Sequence, residues 1–542
     1  MNHPSTGKIE FLCKAVKLRR VYKIAINWVG IMGQVYIGGG GVDQTDPQAL
    51  RLEYANRHGL ITGATGTGKT VTLQIMAEGF AAQGVPVFLS DVKGDLSGMM
   101  QAGSPEFKLH DAFRSRADKI GFADYAYARC SVSLWDVLGQ EGAKLRGTVA
   151  QMWPLLISRL LGLSEAQEGV MNIVFRIADE QGMLLLDLKD LRALLTDVAS
   201  RRAELTIAYG AVSPQSIGAI QRRLLTLETQ GGDAFFGEPA LDLNDLIRHD
   251  ARGHGVVNIL KSDVLAQRPQ LYATVMLWLL SELFENLPEV GDLDRPKMVF
   301  FFDEAHLLFE DAPKALVDRI EMVARLIRSK GVGVYFITQN PDDIPEDVLG
   351  QLGNRVQHAL RAFTARDRKT IKRAAQTYYD NPRFKTEDVI QDLGVGEAIT
   401  SFLDEDGAPS MVERTLIRPP SSRLGPATQE AIVQNRRSDP MAARYETPVD
   451  RNSAYEILMQ RADQMAKEAQ AAEAQAESAS VQAREFNAAR RYSGGRVRRS
   501  SSRGVNAQTV GAALSSALIK ELRGTTGRRI VRGVLGGLFG GR

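Results

Sequence analysis

The stretch GLITGATGTGKTVTLQ, residues 59–74, places a glycine-rich octet between a short apolar run and a segment typical of a helix. The octet matches the pattern G-x-x-x-x-G-K-[ST] at every fixed position. In such a loop the backbone N–H groups turn toward phosphates, Lys69 reaches the β- and γ-phosphates, and the Thr70 hydroxyl holds Mg²⁺. The flanking residues predict a buried strand at 60–62 and a helix at 71–82. We therefore expect ATP and Mg²⁺ to bind at Gly63, Ala64, Thr65, Gly66, Thr67, Gly68, Lys69 and Thr70.

Length and composition set the frame for this site. The chain has 542 residues and 44% hydrophobic content, enough for a large core and more than one folded unit. Cys13 and Cys130 are too far apart in sequence to indicate a disulfide framework or a metal cluster, which favours a reducing, cytoplasmic location. No run of eighteen apolar residues exists, so we expect no integral membrane span. Residues 1–50 are predicted to form a short non-secretory extension, in which Met32 is an alternative start.

The rest of the chain alternates between strand and helix patterns, as in a parallel α/β sheet. A region rich in Leu, Ala, Arg and Glu, about 135–249, predicts a helical insertion. We expect a core at 51–420, a linker with an Ala/Glu/Gln-rich helix at 421–500, and a basic amphipathic tail at 501–542. The predicted strands are 59–62, 85–91, 255–260, 298–303, 334–338 and 355–360.

Positive charge is concentrated at the C-terminal end. The formal net charge is +3, but residues 484–542 hold an excess of eleven cations, which leaves residues 1–483 at about −8. The tail fits three interpretations that the sequence leaves open: a docking helix, a helix on an anionic membrane surface, or a phosphate-binding segment.

A second motif, KMVFFFDEAH, ends a predicted buried strand in two carboxylates. The carboxyl ends of parallel strands are where α/β sheets bind their ligands. Asp303 suits a water-mediated Mg²⁺ contact, and Glu304 suits deprotonation of the attacking water. His306 either contacts the γ-phosphate side or begins the next helix.

Two further strand ends carry polar side chains. GVYFITQNP places Gln339 where it can sense the γ-phosphate and position water, although a Gln-Asn-Pro turn is the alternative. SDVKGDLSG places Asp91 and Lys93 after the second strand of the core, either facing the nucleotide or within a polar loop. The sequence leaves both alternatives open.

Taken together, GATGTGKT, SDVKGDLSG, VFFFDEAH, ARLIRSKGVGVYFITQNP and DIPEDVLGQLGNRVQHALR resemble the HerA-like branch of the HerA–FtsK motor ATPases, and more narrowly the bacterial helicase HerA-like proteins. The resemblance covers about residues 51–420. It implies a RecA-like P-loop NTPase core that works as a homo-oligomeric ring, usually a hexamer. Active sites would lie between subunits and DNA would pass through the middle, with a nuclease or another protein as candidate partner.

The resemblance also suggests which arginines serve the site. Matching the HerA pattern indicates Arg328 as a finger that reaches a neighbour's γ-phosphate, with Arg325 on the same helical face. The alternative is that both complement a helix C-terminus. Arg57 matches a HerA arginine at the nucleotide site, whereas Arg355 and Arg361 are weaker candidates.

The chain departs from HerA in two respects. Only about sixty residues precede Gly63, whereas HerA carries a β-barrel there, and the tail beyond Pro420 has no counterpart in the core motor. The DEAH string also invites assignment to the DEAH-box RNA helicases, but those need a second RecA-like domain with a Q-x-x-G-R-x-G-R motif, which this sequence lacks.

Two hypotheses for the function remain. The first is a ring-type ATP-driven motor on DNA, a translocase or helicase; the second is a P-loop ATPase that acts on a protein or as a nucleotide-dependent assembly switch.

Overall fold

The computed structural model describes residues 33–291, 293–310 and 314–492. Met32, most of the predicted N-terminal extension and the predicted basic tail at 501–542 lie outside the described residues. The chain divides into two compact units, one ending at Ala462 and the other beginning at Asp463.

Twelve strands of the described residues form one sheet in the first unit. They are β1 (Gln34–Gly40), β2 (Asp46–Arg51), β3 (Gly59–Thr62), β4 (Val87–Asp91), β5 (Val132–Asp136), β6 (Ala143–Lys144), β7 (Val257–Lys261), β8 (Met298–Phe302), β9 (Val332–Thr338), β10 (Asn354–Gln357), β11 (Glu397–Ser401) and β12 (Glu413–Ile417). Their order is β2-β1-β12-β11-β10-β3-β9-β8-β4-β7-β5-β6. The strands from β10 to β6 pair in parallel, and β11, β12, β1 and β2 extend the sheet by antiparallel pairing. The prediction of a mainly parallel α/β sheet is confirmed.

The sheet is wider than the six predicted strands. Strands β1 and β2 come from residues that the sequence pattern placed in an extension, and β1 pairs with β12 near the end of the core. Strands β5 and β6 occupy the start of the region predicted as a helical insertion. Glycines in β1 and the two-residue length of β6 leave little apolar pattern to indicate a strand.

Both faces of the sheet are buried, and successive side chains along each strand point to opposite faces. In β8, Phe300 and Phe302 pack into the core shared with the insertion, whereas Phe301 packs on the opposite face with Phe80 and Ile61. The continuous apolar run of this strand is thus explained by burial on two sides.

The described residues form sixteen α-helices. They are α1 (Lys69–Ala82), α2 (His110–Lys119), α3 (Trp153–Leu160), α4 (Glu165–Glu180), α5 (Leu188–Ser200), α6 (Arg202–Tyr209), α7 (Pro214–Thr229), α8 (Pro269–Asn286), α9 (His306–Phe309), α10 (Lys314–Leu326), α11 (Glu346–Leu349), α12 (Ala365–Gln376), α13 (Thr386–Asp392), α14 (Gln429–Ser438), α15 (Pro440–Glu446) and α16 (Ala454–Tyr492). The insertion consists of α3 to α7, and α4 and α5 each begin with a capping box.

Helix α16 contains the Ala/Glu/Gln-rich segment and continues into the second unit, where the described side chains are almost all exposed. Within the first unit, its start is anchored by Asp190, which accepts hydrogen bonds from the Ser453 hydroxyl at 2.5 Å and the Tyr455 N–H at 2.9 Å. Among the described residues, no helix combines the length and apolar character needed to cross a bilayer.

A buried ion pair joins α1 to the segment that follows β12. Arg418 Nη1 lies 3.1 Å from Glu78 Oε2, and each side chain is only 7% exposed. Glu78 also accepts hydrogen bonds from the Ser422 N–H and hydroxyl, while Arg418 donates to the carbonyls of Tyr36 and Ile75. These hydrogen bonds compensate both charges, which is the condition for tolerating a buried pair.

We expect Arg418→Ala to destabilise the first unit by about 3–5 kcal/mol, because it leaves the Glu78 carboxylate buried without its counter-charge. Urea unfolding followed by circular dichroism measures this loss, with Arg437→Ala, at an exposed position of α14, as control. The pair Glu78→Gln/Arg418→Met should be more stable than Arg418→Ala, since it buries no charge. Equal unfolding midpoints for Arg418→Ala and the control would contradict this role of the pair.

Candidate active site

The glycine-rich octet forms a turn between the end of β3 at Thr62 and the start of α1 at Lys69. Its glycines adopt positive φ, 150° at Gly63, and a Cβ there would lie 2.5 Å from the Cβ of His358. Only glycine fits that position. The Ala64 N–H donates to the Ala359 carbonyl at 2.8 Å, which holds the first turn of the loop. The backbone is therefore already shaped to receive phosphates.

The Lys69 ammonium lies within this loop. Its Nζ donates to the carbonyls of Gly63 at 2.5 Å and Ala64 at 3.1 Å, and its side chain is buried. Burial lowers the pKa of Lys69, and the nearby charge of Lys93 lowers it further. A desolvated cation facing neutral carbonyls would gain from an anionic partner, so the site fits the phosphates of a nucleotide. Thr70 follows in the first turn of α1, half-buried beside the loop.

Glu304 lies at the carboxyl end of β8, two strands away from β3. Its Oε1 is 2.7 Å from Lys93 Nζ, and its Oε2 is 3.4 Å from both Gln339 Nε2 and His306 Nδ1. Burial would raise the pKa of Glu304, but the hydrogen bond and charge of Lys93 outweigh it and hold the pKa below its usual value. Glu304 is therefore an ionised carboxylate in neutral solution.

The backbone of Glu304 is strained. Its φ is +48°, in the left-handed region that non-glycine residues enter at a cost of about 1–3 kcal/mol. Two hydrogen bonds hold this turn: the Glu304 N–H donates to Asp303 Oδ1 at 3.0 Å, and the Ala305 N–H donates to the Ile337 carbonyl at 2.8 Å. The conformation directs the carboxylate to Lys93 and Gln339 rather than along the strand.

Asp303 is nearly fully buried beneath Glu304. Its N–H donates to the Ser90 hydroxyl, and its carbonyl accepts from the Tyr272 hydroxyl. Burial raises the pKa of the Asp303 carboxyl to about 7, so a cation at this position would favour its ionised form. The donor set of Thr70 and Asp303 therefore fits Mg²⁺ bound jointly with phosphates. Among the described residues, no cluster of three or more His, Cys, Asp or Glu could hold a metal alone.

Gln339 connects the phosphate loop to Glu304. It follows β9, the strand between β3 and β8, and its Oε1 accepts from the Thr65 hydroxyl at 3.2 Å while its Nε2 donates to Glu304. The turn-forming role considered as an alternative belongs instead to its neighbour Asn340, which caps the turn Pro341–Asp343.

Asp91 and Lys93, which the sequence could not distinguish, have different roles in the structure. Asp91 accepts backbone N–H groups of Gly94, Asp95 and Leu96 at 2.8–3.2 Å and so closes the turn after β4. Burial raises the pKa of its carboxyl to about 6. This turn presents Lys93 to Glu304. His306 begins α9, as one of its two interpretations requires, and its Nδ1 lies 3.4 Å from Glu304 Oε2; a contact on the γ-phosphate side stays a prediction.

Sequence reasoning missed His358 as a support of the phosphate loop. His358 is fully buried after β10, and burial lowers its pKa to about 4, so it is neutral. The Glu397 carbonyl, 2.9 Å from Nδ1, can only accept, so Nδ1 carries the proton and Nε2 accepts from the Thr72 hydroxyl at 2.8 Å. The neighbouring Gly396 N–H donates to the Thr67 carbonyl. A histidine in the quoted stretch GNRVQHALR was the available signal.

The two arginines predicted to serve the nucleotide site, Arg328 and Arg57, lie away from the phosphate loop. Arg328 lies in the turn Ile327–Lys330 before β9, and the seven residues of β9, about 20 Å, separate it from the strand end that carries Gln339. Arg57 precedes β3, where its guanidinium donates to the Gly407 carbonyl at 3.2 Å and lies 4.7 Å from the centre of the Tyr54 ring. Asn56 Nδ2 is 3.5 Å from the Arg328 carbonyl oxygen, so both arginines share the amino edge of the sheet. Neither lies at the phosphate loop of its own chain.

The other arginine candidates have local partners. Arg325 is exposed and pairs with Glu321 one helical turn away. Arg355 donates to the carbonyls of Leu349 and Leu352, and Arg361 donates to those of Gln391 and Leu393. These partners lie within or just after α10, α11 and α13, away from the Glu304 cluster.

Comparison with known proteins identifies the family. A family model described as "Helicase HerA-like C-terminal" matches residues 40–542. The chain belongs to this HerA-like family. A relative described as a probable helicase of Methanocaldococcus jannaschii is 30% identical over 127 residues, which cover 22% of each protein. The chain thus aligns with about a fifth of that relative's length.

Solved structures similar to this HerA-like chain include those of TrwB and VirB4. The bacterial conjugative coupling protein TrwB is 15% identical, with a TM-score of 0.47 over 75% of this chain and 94% of TrwB. VirB4 of Thermoanaerobacter pseudethanolicus is 15% identical, with a TM-score of 0.47 over 74% of this chain and 99% of VirB4. Another TrwB structure, which contains ADP and Mg²⁺, is 16% identical with a TM-score of 0.44, over 75% of this chain and 94% of TrwB.

Proposed function

We propose that this chain is an ATP-hydrolysing motor that forms a ring, acts on DNA as a translocase or helicase, and works in the cytoplasm. The observation that carries the proposal is the cluster at the carboxyl ends of β3, β8 and β9. There a preshaped phosphate loop holding Lys69 adjoins Glu304, which is held by Lys93 and Gln339. Nucleotide binding at such a loop and charge stabilisation at such a strand end are the requirements of phosphoryl transfer.

In this proposal each side chain has one task in ATP hydrolysis. Lys69 and the loop N–H groups bind the β- and γ-phosphates. Glu304 accepts a proton from the attacking water, and the Gln339 amide orients that water. Thr70 and Asp303 would hold Mg²⁺, which would neutralise charge developing on the phosphate oxygens.

The ring is favoured by the positions of the two candidate finger arginines. Arginine fingers stabilise the charge of the transition state, yet Arg328 and Arg57 lie at the edge of the sheet opposite the phosphate loop. Each could serve only another subunit's nucleotide. A head-to-tail interface that brings the amino edge of one sheet to the phosphate loop of the next, repeated with closure, gives a ring, and family resemblance favours six subunits.

DNA as the substrate is favoured by the helicase description of the aligned relative. The alternative is an ATPase that acts on a protein or switches assembly with its nucleotide, and the net charge of about −8 over residues 1–483 favours it. Both alternatives use the same ATP chemistry, so the response to DNA distinguishes them. A nuclease or another protein remains a proposed partner of the DNA motor.

The deciding experiment measures steady-state ATP hydrolysis by the full chain with Mg²⁺, alone and with single- or double-stranded DNA. We expect hydrolysis that rises several-fold with DNA, and none above background for Glu304→Gln under any condition. ATP hydrolysis that neither DNA form changes would contradict a DNA motor and support the protein-directed alternative. Absence of hydrolysis by the unaltered chain in all conditions would contradict the ATPase itself.

A further inference from the structure

Helix α12 carries an unusual concentration of positive charge on its exposed face. Thr370, Ile371, Ala374 and Ala375 form its buried face. The remaining positions hold five cations against one acid, Asp367. The exposed cations are Arg366, Arg368, Lys369, Lys372 and Arg373.

Most of this charge has no neutralising partner among the described residues. Asp367 accepts the N–H groups of Phe363 and Thr364 in a capping box, and these hydrogen bonds together with the charge of Arg366 lower its pKa. Among the residues that the structure describes, Arg368, Lys369 and Lys372 form no ion pair. Lys372 is three and four positions from Lys369 and Arg368, a spacing at which like charges destabilise a helix. An anion on this face would remove that repulsion.

Exposed aromatic rings lie in the chain on either side of the helix. Phe363, just before α12, is 89% exposed, and Tyr379, just after it, is 68% exposed. Lys385 adds an exposed cation beyond Tyr379, whereas Arg383 there is paired with Glu413. Cations that follow a backbone and aromatic rings that stack on bases are the combination used to bind nucleic acid without sequence preference.

The same helix contacts the loop that follows Gln339. Asp342 accepts a hydrogen bond from the Thr370 hydroxyl at 2.7 Å. It also forms an ion pair with Arg373, whose Nη1 lies 3.1 Å from Asp342 Oδ1. Asp342 lies only three positions after Gln339, whose amide contacts Glu304. The basic face is thus connected to the hydrolytic cluster through a short stretch of chain.

We propose that the exposed face of α12, with Phe363 and Tyr379, binds the sugar–phosphate backbone of nucleic acid, and that Asp342 links this contact to Gln339. The inference rests on the proposed function as a DNA motor and identifies the surface that it would use. The twelve residues of α12 span about 18 Å, along which one DNA strand presents about five phosphates. That number is comparable with the cations on the face.

The test removes three cations that form no ion pair with any described residue, and it leaves the hydrolytic residues unchanged. In the full-length protein, Arg368→Gln/Lys369→Gln/Lys372→Gln should lower affinity for fluorescent single- and double-stranded oligonucleotides. For duplex DNA the slope of log K against log salt should fall by about 2.7, at about 0.9 per lost phosphate contact. ATP hydrolysis without DNA, circular dichroism and mass by light scattering should match those of the unaltered protein.

The control, Lys119→Gln/Arg202→Gln/Arg222→Gln, removes the same charge from exposed positions on α2, α6 and α7. We expect it to leave the salt slope within about one unit of the original. Equal effects of the two triple variants, an unchanged slope in the α12 variant, or a changed mass with unchanged DNA affinity would each overturn the α12 surface. If the unaltered protein binds no DNA at low salt, both the proposed function and the α12 surface are contradicted. If the unaltered protein and the α12 variant bind DNA equally well, only the α12 surface is contradicted.

Discussion

Lys69→Ala should abolish ATP turnover by weakening nucleotide binding, whereas Glu304→Gln should keep binding and stop hydrolysis. Removing Lys69 takes away a charged hydrogen bond to phosphate worth about 1.5–3 kcal/mol, so affinity should fall about 10- to 100-fold. In Glu304→Gln the amide keeps the shape of the side chain and can still accept from Lys93, but it cannot take a proton from water. We expect its kcat to fall by about 10²–10⁴.

Two measurements separate these effects. Fluorescent nucleotide titration gives the affinity, and steady-state phosphate release gives kcat. Glu387→Gln, the same chemical change at an exposed position of α13, serves as control and should leave both unchanged. If Glu304→Gln hydrolyses ATP at the rate of this control, Glu304 is not the base.

The reasoning that found Lys69 and Glu304 in the sequence worked because both motifs are local. Residues 63–70 dictate a phosphate loop by their own glycines and by the strand and helix beside them. Likewise, KMVFFFDEAH is an apolar run ending in carboxylates, and the observed strand stops at Phe302, one residue before Asp303. The order of β3, β9 and β8 then brings Gln339 between them.

What the sequence could not predict depends on contacts between distant residues. Asp91 and Lys93 follow the same strand, and only the turn closed by the Asp91 carboxylate decides that Lys93 reaches Glu304. The positive φ of Glu304 is held by the Ala305 N–H on the Ile337 carbonyl, more than thirty residues away. His358 likewise acquires its role through Gly63 and Thr72, nearly three hundred residues earlier.

The antiparallel edge of the sheet escaped prediction for a related reason. Strand β1 has the sequence QVYIGGG. Position 38 requires glycine because Leu416 in β12 approaches so closely that a Cβ there would lie 2.1 Å from the Leu416 carbonyl oxygen. Glycine weakens the strand pattern in sequence, yet it permits this pairing across the length of the core.

Arg328→Ala and Glu304→Gln, each inactive alone, should restore ATP hydrolysis when combined in one assembly. If Arg328 acts on a neighbour, the Glu304→Gln subunit can supply an intact Arg328 to the next subunit. Where that next subunit carries Arg328→Ala, its Glu304 is intact, so the shared interface contains both groups. In a ring assembled at random from equal amounts, about a quarter of the interfaces have this arrangement. Loss of the finger itself should lower kcat by about 10³–10⁵.

Co-expression with two different affinity tags, followed by purification through both, yields the mixed assemblies and tests oligomer formation at the same time. Arg325→Ala is the matched control, because Arg325 lies one turn earlier and pairs with Glu321 in its own helix. It should be active alone, which separates loss of the finger from loss of any nearby positive charge. Mixed assemblies that remain as inactive as their parents would exclude Arg328 as a finger in trans. If the two tags fail to co-purify and a monomer hydrolyses ATP rapidly, the ring is excluded. Because β9 places Arg328 about 20 Å from the hydrolytic site of its own chain, a different cation would then have to complete that site.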